Sequence, residues 1–177
     1  PEGALNLDLN NKKALLKRIG NLLSNNQNLI LGANALTEDK LYNRMYYINN
    51  KGDVEQSYDK QKLVLFGEYI PFDGYKISKF LDMGLSFSKG EENNHINLNK
   101  NFIVSPMICF ESIFDYSRIN NNICKTDFIL QISNDSWFGN YIGPSQHFKN
   151  SVLRSVEQKM ILVRSTPSGI SAVVNTD

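Results

Sequence analysis

Residues 102–114, FIVSPMICFESIF, run from an unbroken apolar stretch into a carboxylate, with Cys109 at the change. The apolar run predicts a buried strand over 102–110, and ESIFDYSRI (111–119) reads as the start of a helix. A second run, DFILQISN (127–134), predicts another buried strand. Cys109 therefore falls at a strand-to-helix junction, where α/β folds place chemistry and a helix N-terminus helps to stabilise a thiolate. A cysteine in an apolar strand is by itself more often an inert small hydrophobe. Position raises the question of a nucleophile without answering it.

Working outward, Leu15, Ile19, Leu22 and Leu23 recur at helical spacing, with Lys12, Lys13, Lys17 and Arg18 mostly opposite. That helix should cover a sheet. NLILGANAL (28–36), LYNRMYYI (41–48) and DVEQSY (53–58) predict strands, the last two joined as a hairpin through NNKGD (49–53). Beyond the glycine-rich loop WFGNYIGPS (137–145), Phe148, Val152, Val156 and Met160 form an i, i+4 stripe, followed by the strand candidates ILVRST and ISAVV. Strands alternating with helices point to a layered α/β domain.

Composition narrows the classes. At 177 residues, with 41% hydrophobic and 21% charged residues, the chain suits one globular domain with a real core. Lys plus Arg number 19 against 18 for Asp plus Glu, and no basic run alternates with aromatics, which excludes a nucleic-acid partner. No apolar run of membrane-spanning length and no signal core is present, so if the protein works at a membrane its anchor is expected to lie elsewhere. Cys109 and Cys124 make no disulfide framework, and both are predicted to be free thiols with no metal-binding spacing. The asparagine-rich stretches NNQN, EENN and INNN read as loops.

A nucleophilic thiol needs a base for its proton and a donor for the oxyanion. His95 lies in a polar loop and His147 near a helix start, leaving a Cys/His pair through His147 open but without a local signature. Glu2, Lys60 and Glu68 are the other candidates. Taken singly, Glu2 reads as a frayed terminal residue, Lys60 as a solvated hairpin charge and Gly67-Glu68 as a turn.

Taken together they read differently. The order Glu, Lys, Cys in PEG (1–3), YDKQKLVLFGEYIP (58–71) and MICFESIF (107–114), followed by SNDSWFG, GPSQH and RSTPSGIS, closely resembles the nitrilase superfamily and its apolipoprotein N-acyltransferase branch. The resemblance runs from Pro1 almost to Asp177. It implies Glu2 as general base, Lys60 as the cation stabilising the tetrahedral oxyanion, and Cys109 as the acylated nucleophile. It also implies Glu68 as a carboxylate supporting the lysine and base, Glu111 as the carboxylate of the Cys-aromatic-Glu motif, and Trp137 beside the acyl pocket. Phe110 stands where these acyltransferases commonly carry tyrosine, and Leu65 where they carry proline.

The implied fold is a nitrilase-like α-β-β-α sandwich over 1–177, incomplete at both ends. A strand and helix precede the glutamate in the family, so a sheet edge and a loosely held Glu2 are expected here. The implied reaction takes a fatty acyl chain from a phospholipid, through a cysteine thioester, to the N-terminal diacylglyceryl cysteine of an apolipoprotein. No cofactor or metal is implied. The resemblance sets the catalytic domain on the periplasmic face of a bacterial inner membrane, reached through segments outside this chain. The alternatives are a soluble nitrilase-family amidase with the same triad, or an inactive remnant of the acyltransferase.

Overall fold

The computed structural model describes residues 1–5, 8–9, 12–70, 86–91, 95–98, 102–115 and 126–176. Cys124 and the end of the predicted 111–119 helix lie outside them. Helix α1 (Lys13–Gly20) precedes strands β1 (Leu29–Thr37), β2 (Lys40–Ile48) and β3 (Val54–Asp59), which form one antiparallel sheet in that order. A second sheet runs β4 (Ile96–Leu98), β5 (Phe102–Ile108), β6 (Phe128–Ile132), β7 (Ile161–Ser165) and β8 (Ala172–Val174). Its inner pairs β5/β6 and β6/β7 are parallel, and its outer pairs antiparallel. Helix α2 (Gly143–Gln158) supplies the crossover between β6 and β7.

Strand periodicity divides each sheet into two faces. Met45, Tyr47 and Tyr58 of the first sheet meet Ile96, Val104, Ile108, Leu130 and Ile132 of the second in one buried cluster. Tyr46, Ile48, Leu31, Ala33 and Ala35 face the other way, beneath Leu16 of α1. Met107, Ile129 and Leu162 form the outer face of the second sheet. Burying each large apolar side chain contributes about 1.5–3 kcal/mol, so the inter-sheet cluster is what holds the two sheets face to face. The order of layers is α1, sheet, sheet, α2, the expected α-β-β-α sandwich.

The differences from expectation have local causes. α1 stops at Gly20, because the tip of the β2–β3 hairpin lies against it: a Cβ on Gly20 would stand 2.3 Å from Gly52 N. Leu22, read as part of the apolar face, is 85% exposed. The strand predicted to include Cys109 ends at Ile108, and the helix predicted after it begins as a 3-10 turn, Cys109–Ile113. The stripe on α2 is displaced: its buried residues are His147, Ser151, Arg154 and Ser155, whereas Val156 is exposed. α2 covers buried Gln131, Asp135 and Arg164 as well as apolar groups, so its inward face is polar.

Two contacts join distant segments to the site. The edge of β1 is partly covered by the first residues: Gly32 N donates to Pro1 O at 3.1 Å and Leu5 pairs with Ala33. Glu111, 0% exposed, accepts from Ile108 N (2.6 Å), Gln61 N (2.7 Å), Lys62 N (3.1 Å) and Tyr58 Oη (2.9 Å). It ties the end of β5 to the segment after β3. Pro106 is tolerated in β5 because β4 pairs only with Phe102–Val104, leaving no strand beyond for its missing N–H.

Two stability effects are expected. A Cβ at Gly32 would stand 2.7 Å from Pro1 O and 2.8 Å from Glu2 Cα, so Gly32→Ala should cost about 1–3 kcal/mol in denaturant unfolding. Glu111→Gln sets an amide N–H₂ against backbone N–H donors and should cost on the order of 2–3 kcal/mol, read as a lowered unfolding midpoint. Wild-type stability in either variant would refute the packing described.

Candidate active site

Lys60 follows β3 directly, and its backbone N–H donates to Asn43 O of β2 at 2.9 Å. That bond fixes the point from which the side chain enters the core, where it is 1% exposed. Its Nζ lies 2.7 Å from Glu68 Oε1 and 3.6 Å from Glu2 Oε1. The turn holding Glu68 is closed by Glu68 N to Val64 O at 2.8 Å, and the carboxylate accepts from Val64 N at 2.8 Å. Asn43 Nδ2 donates to Glu2 Oε1 at 2.7 Å, and Asn134 N to Glu2 Oε2 at 2.9 Å. Burial opposes the charge on Lys60, but Glu2, Cys109 and Glu68 outweigh it and hold the pKa above the ordinary lysine value. The ammonium thus keeps its proton at neutral pH.

Cys109 opens the 3-10 turn with φ of +49°, a left-handed backbone rare outside glycine. Its carbonyl accepts from Gln131 Nε2 at 3.2 Å and Ser112 Oγ at 3.3 Å, and faces His147 Nε2 at 3.0 Å. Its thiol faces the Glu2 carboxylate and the Ser133 side chain. Burial, then the Glu2 charge, pushes the thiol pKa up to about 12, although Lys60 and Ser133 pull the other way. The resting group is a protonated thiol beside a carboxylate, the arrangement a general base needs.

The structure thus brings Glu2, Lys60, Glu68 and Cys109 together and corrects three expectations. Glu2 is not loosely held: it is 7% exposed and bonded from two elements. Lys60 is not a solvated hairpin charge. His147 does not pair with the thiol, since its ring contacts the Cys109 carbonyl and Asp135. Glu111 does not reach the cleft; it accepts the N–H of Ile108 at the head of the turn and braces the segment next to Lys60.

A cleft of about 170 Å³ is lined by Glu2, Lys60, Glu68, Cys109 and the apolar Val64, Phe110, Trp137 and Phe138. Phe110 is fixed edge-on against Phe114, with ring centroids 5.4 Å apart. Trp137 borders the cleft but is 80% exposed; Leu65 and Phe66, next in sequence to the lining residue Val64, and Tyr141 and Ile142, soon after Phe138, are exposed too. Among the described residues no cluster could hold a metal ion, and no helix is long and apolar enough to cross a membrane. Asn43, Gln131, Ser133 and Asn134 escaped the sequence reading as site residues. Ser133 and Asn134 lie inside SNDSWFG, whereas a polar residue within LYNRMYYI is the only signal for Asn43.

A carbon-nitrogen hydrolase family profile matches residues 7–177. Apolipoprotein N-acyltransferases of Rhizobium leguminosarum bv. trifolii (strain WSM2304) and Brucella suis biovar 1 (strain 1330) are 36% and 32% identical over 185 and 188 residues. Each alignment covers 99% of this chain and 34% or 35% of the relative, so the chain spans about a third of the length of the curated relatives it matches. The glutamine-dependent NAD+ synthetase of Acinetobacter baumannii superposes with a TM-score of 0.66 at 18% identity, covering 97% of this chain and 31% of that one. Saccharomyces cerevisiae Nit3, a nitrilase-superfamily member, gives 0.64 at 18% identity, over 92% of this chain and 58% of its own. These two likenesses establish the fold. With a thiol, ammonium and carboxylates converging in one dry cleft, and the family match extending to the last residue, the chain belongs to the carbon-nitrogen hydrolase family.

Proposed function

We propose that this chain is the catalytic, nitrilase-like part of an apolipoprotein N-acyltransferase, with Glu2, Lys60 and Cys109 as its reacting groups. The observation that carries the reading is Lys60 held between Glu2 and Glu68 beside the Cys109 thiol, in a chain similar throughout to proteins of that name. Glu2 takes the thiol proton as Sγ attacks the ester carbonyl of a phospholipid. Lys60 stabilises the oxyanion, worth most where water is excluded. Collapse of the tetrahedral adduct breaks the ester C–O bond, the lysophospholipid leaves with the proton from Glu2, and a thioester remains on Cys109. The α-amino group of a diacylglyceryl cysteine then attacks the thioester. Glu2 receives the amine proton and returns it to Sγ, leaving an amide and the free thiol.

The cleft is smaller than the roughly 300–1,000 Å³ of a pocket for a drug-sized ligand, so it suits the reacting head of a lipid, with the acyl chain leaving along Phe110, Trp137 and Phe138. The family's placement follows with the reading: the cleft opens at the periplasmic face of the bacterial inner membrane, and spanning segments belong to parts of the protein outside this chain.

Two experiments test the proposal. After incubation with phospholipid in detergent, mass spectrometry should find one acyl adduct, on Cys109, absent in Cys109→Ala. Lys60→Ala should lower its formation ~10²–10³-fold, whereas Lys62→Ala stays near wild type. Equal loss at both lysines, with circular dichroism unchanged, would sink the assignment.

The second uses pH. A thiol pushed up to about 12 is neutral below that value, and its thiolate fraction grows throughout the accessible range. Alkylation of Cys109 by iodoacetamide should be slower than that of an ordinary thiol at pH 7 yet keep accelerating to pH 10, past the pH of about 8.5 near which an ordinary thiol begins to level off. A plateau below pH 9 would mean that Lys60 holds a standing thiolate instead.

A further inference from the structure

Behind the nucleophile lies a buried polar cluster with no part in the steps above. His147, 3% exposed, enters from the first turns of α2. Its Nδ1 lies 2.8 Å from Asp135 Oδ1 and its Nε2 lies 3.0 Å from the Cys109 carbonyl oxygen. Asp135 is itself 0% exposed. Burial works against its charge, but bonds from Arg164, His147 and Ser133 prevail and keep its carboxyl below the usual range.

Both neighbours of the ring are acceptors, an ionised carboxylate and a carbonyl. The contact to Cys109 O therefore takes its proton from Nε2. Arg164 Nη2 stands 3.4 Å from Nδ1 and reaches Asp135 Oδ1 and Oδ2 at 2.9 and 2.8 Å. Asp135 thus links Arg164 to a ring that points on to the nucleophile turn.

That turn needs an anchor. Cys109 has a left-handed backbone without being glycine, a conformation that persists only where surroundings impose it. Gln131 and Ser112 also reach its carbonyl, at 3.2 and 3.3 Å, so His147 makes the shortest of three contacts. We propose that His147 is a positioning residue for Cys109: its ring is clamped between Asp135 and the Cys109 carbonyl, and holds the turn so that Sγ meets Glu2.

The inference rests on Cys109 being the nucleophile, and the test separates the two. In His147→Gln the side-chain amide can take the place of Nε2 and still donate to Cys109 O. In His147→Asn the shorter amide takes the place of Nδ1 and meets only Asp135. The readouts are nitrophenolate release from a p-nitrophenyl acyl ester, iodoacetamide alkylation of Cys109, and thermal midpoints, all on the 177-residue chain. His147→Gln should stay within about tenfold of wild type, while His147→Asn loses about 10²-fold in both rates, as expected for a misplaced reacting atom.

Equal rates in Gln and Asn variants of matched stability would overturn the proposal. In wild-type protein, ¹⁵N-edited NMR should show a proton on Nε2 of His147, and a bare Nε2 would overturn the clamp. If wild type releases no nitrophenolate but the Gln/Asn contrast persists in alkylation, positioning stands and the acyl-transfer reading falls.

Discussion

The site is organised by the need to neutralise one buried ammonium. Removing an unpaired lysine charge from water costs several kcal/mol or more, and the usual outcome is loss of the proton. Lys60 keeps it because Glu2 and Glu68, brought from the start of the chain and from the turn after β3, converge on its Nζ. The start of the chain and the segment after β3, distant in sequence, must therefore arrive together. The thiol shares these surroundings, since the charges of Glu2 and Lys60 both act on it.

The positions are held by groups that do not react. Glu111 is wholly buried, yet its acceptors are used by three backbone N–H groups and a tyrosine hydroxyl. It fastens the Cys109 turn to the segment carrying Lys60, across the join between the two sheets. Asn43 does the corresponding work for the carboxylates, reaching Glu2 at 2.7 Å and Glu68 at 3.5 Å. Removing either would leave buried polar atoms without partners, which costs more than the bond itself.

Chemistry and access are assigned to different physical surroundings. The inner end of the cleft is charged and nearly dry, whereas its mouth is aromatic and exposed, with Trp137 at 80% and Phe138 at 40%. Phe110 adds apolar surface where the resembling acyltransferases carry a hydroxyl. The charged residues thus form the floor of the cleft and the apolar ones its mouth.

The strands, the hairpin at NNKGD and the covering role of α1 were legible in the sequence, because alternation and helical spacing are local consequences of burial; the α-β-β-α layering was legible only through the likeness to a family. The order Glu2, Lys60, Cys109 was legible too, through its likeness to a family rather than through any property of each residue alone. Local reasoning failed where the tertiary structure changes what a residue experiences. A second residue reads as frayed until Gly32 lets it lie against β1, and a hairpin lysine reads as solvated until two carboxylates enclose it. The apolar stripe on α2 misled because that helix covers Gln131, Asp135 and Arg164, so its buried face had to be polar. Periodicity in the chain thus determined which segments form layers. Only the meeting of those layers decided which charges are buried, since burial and electrostatic pairing depend on distances that sequence separation does not encode.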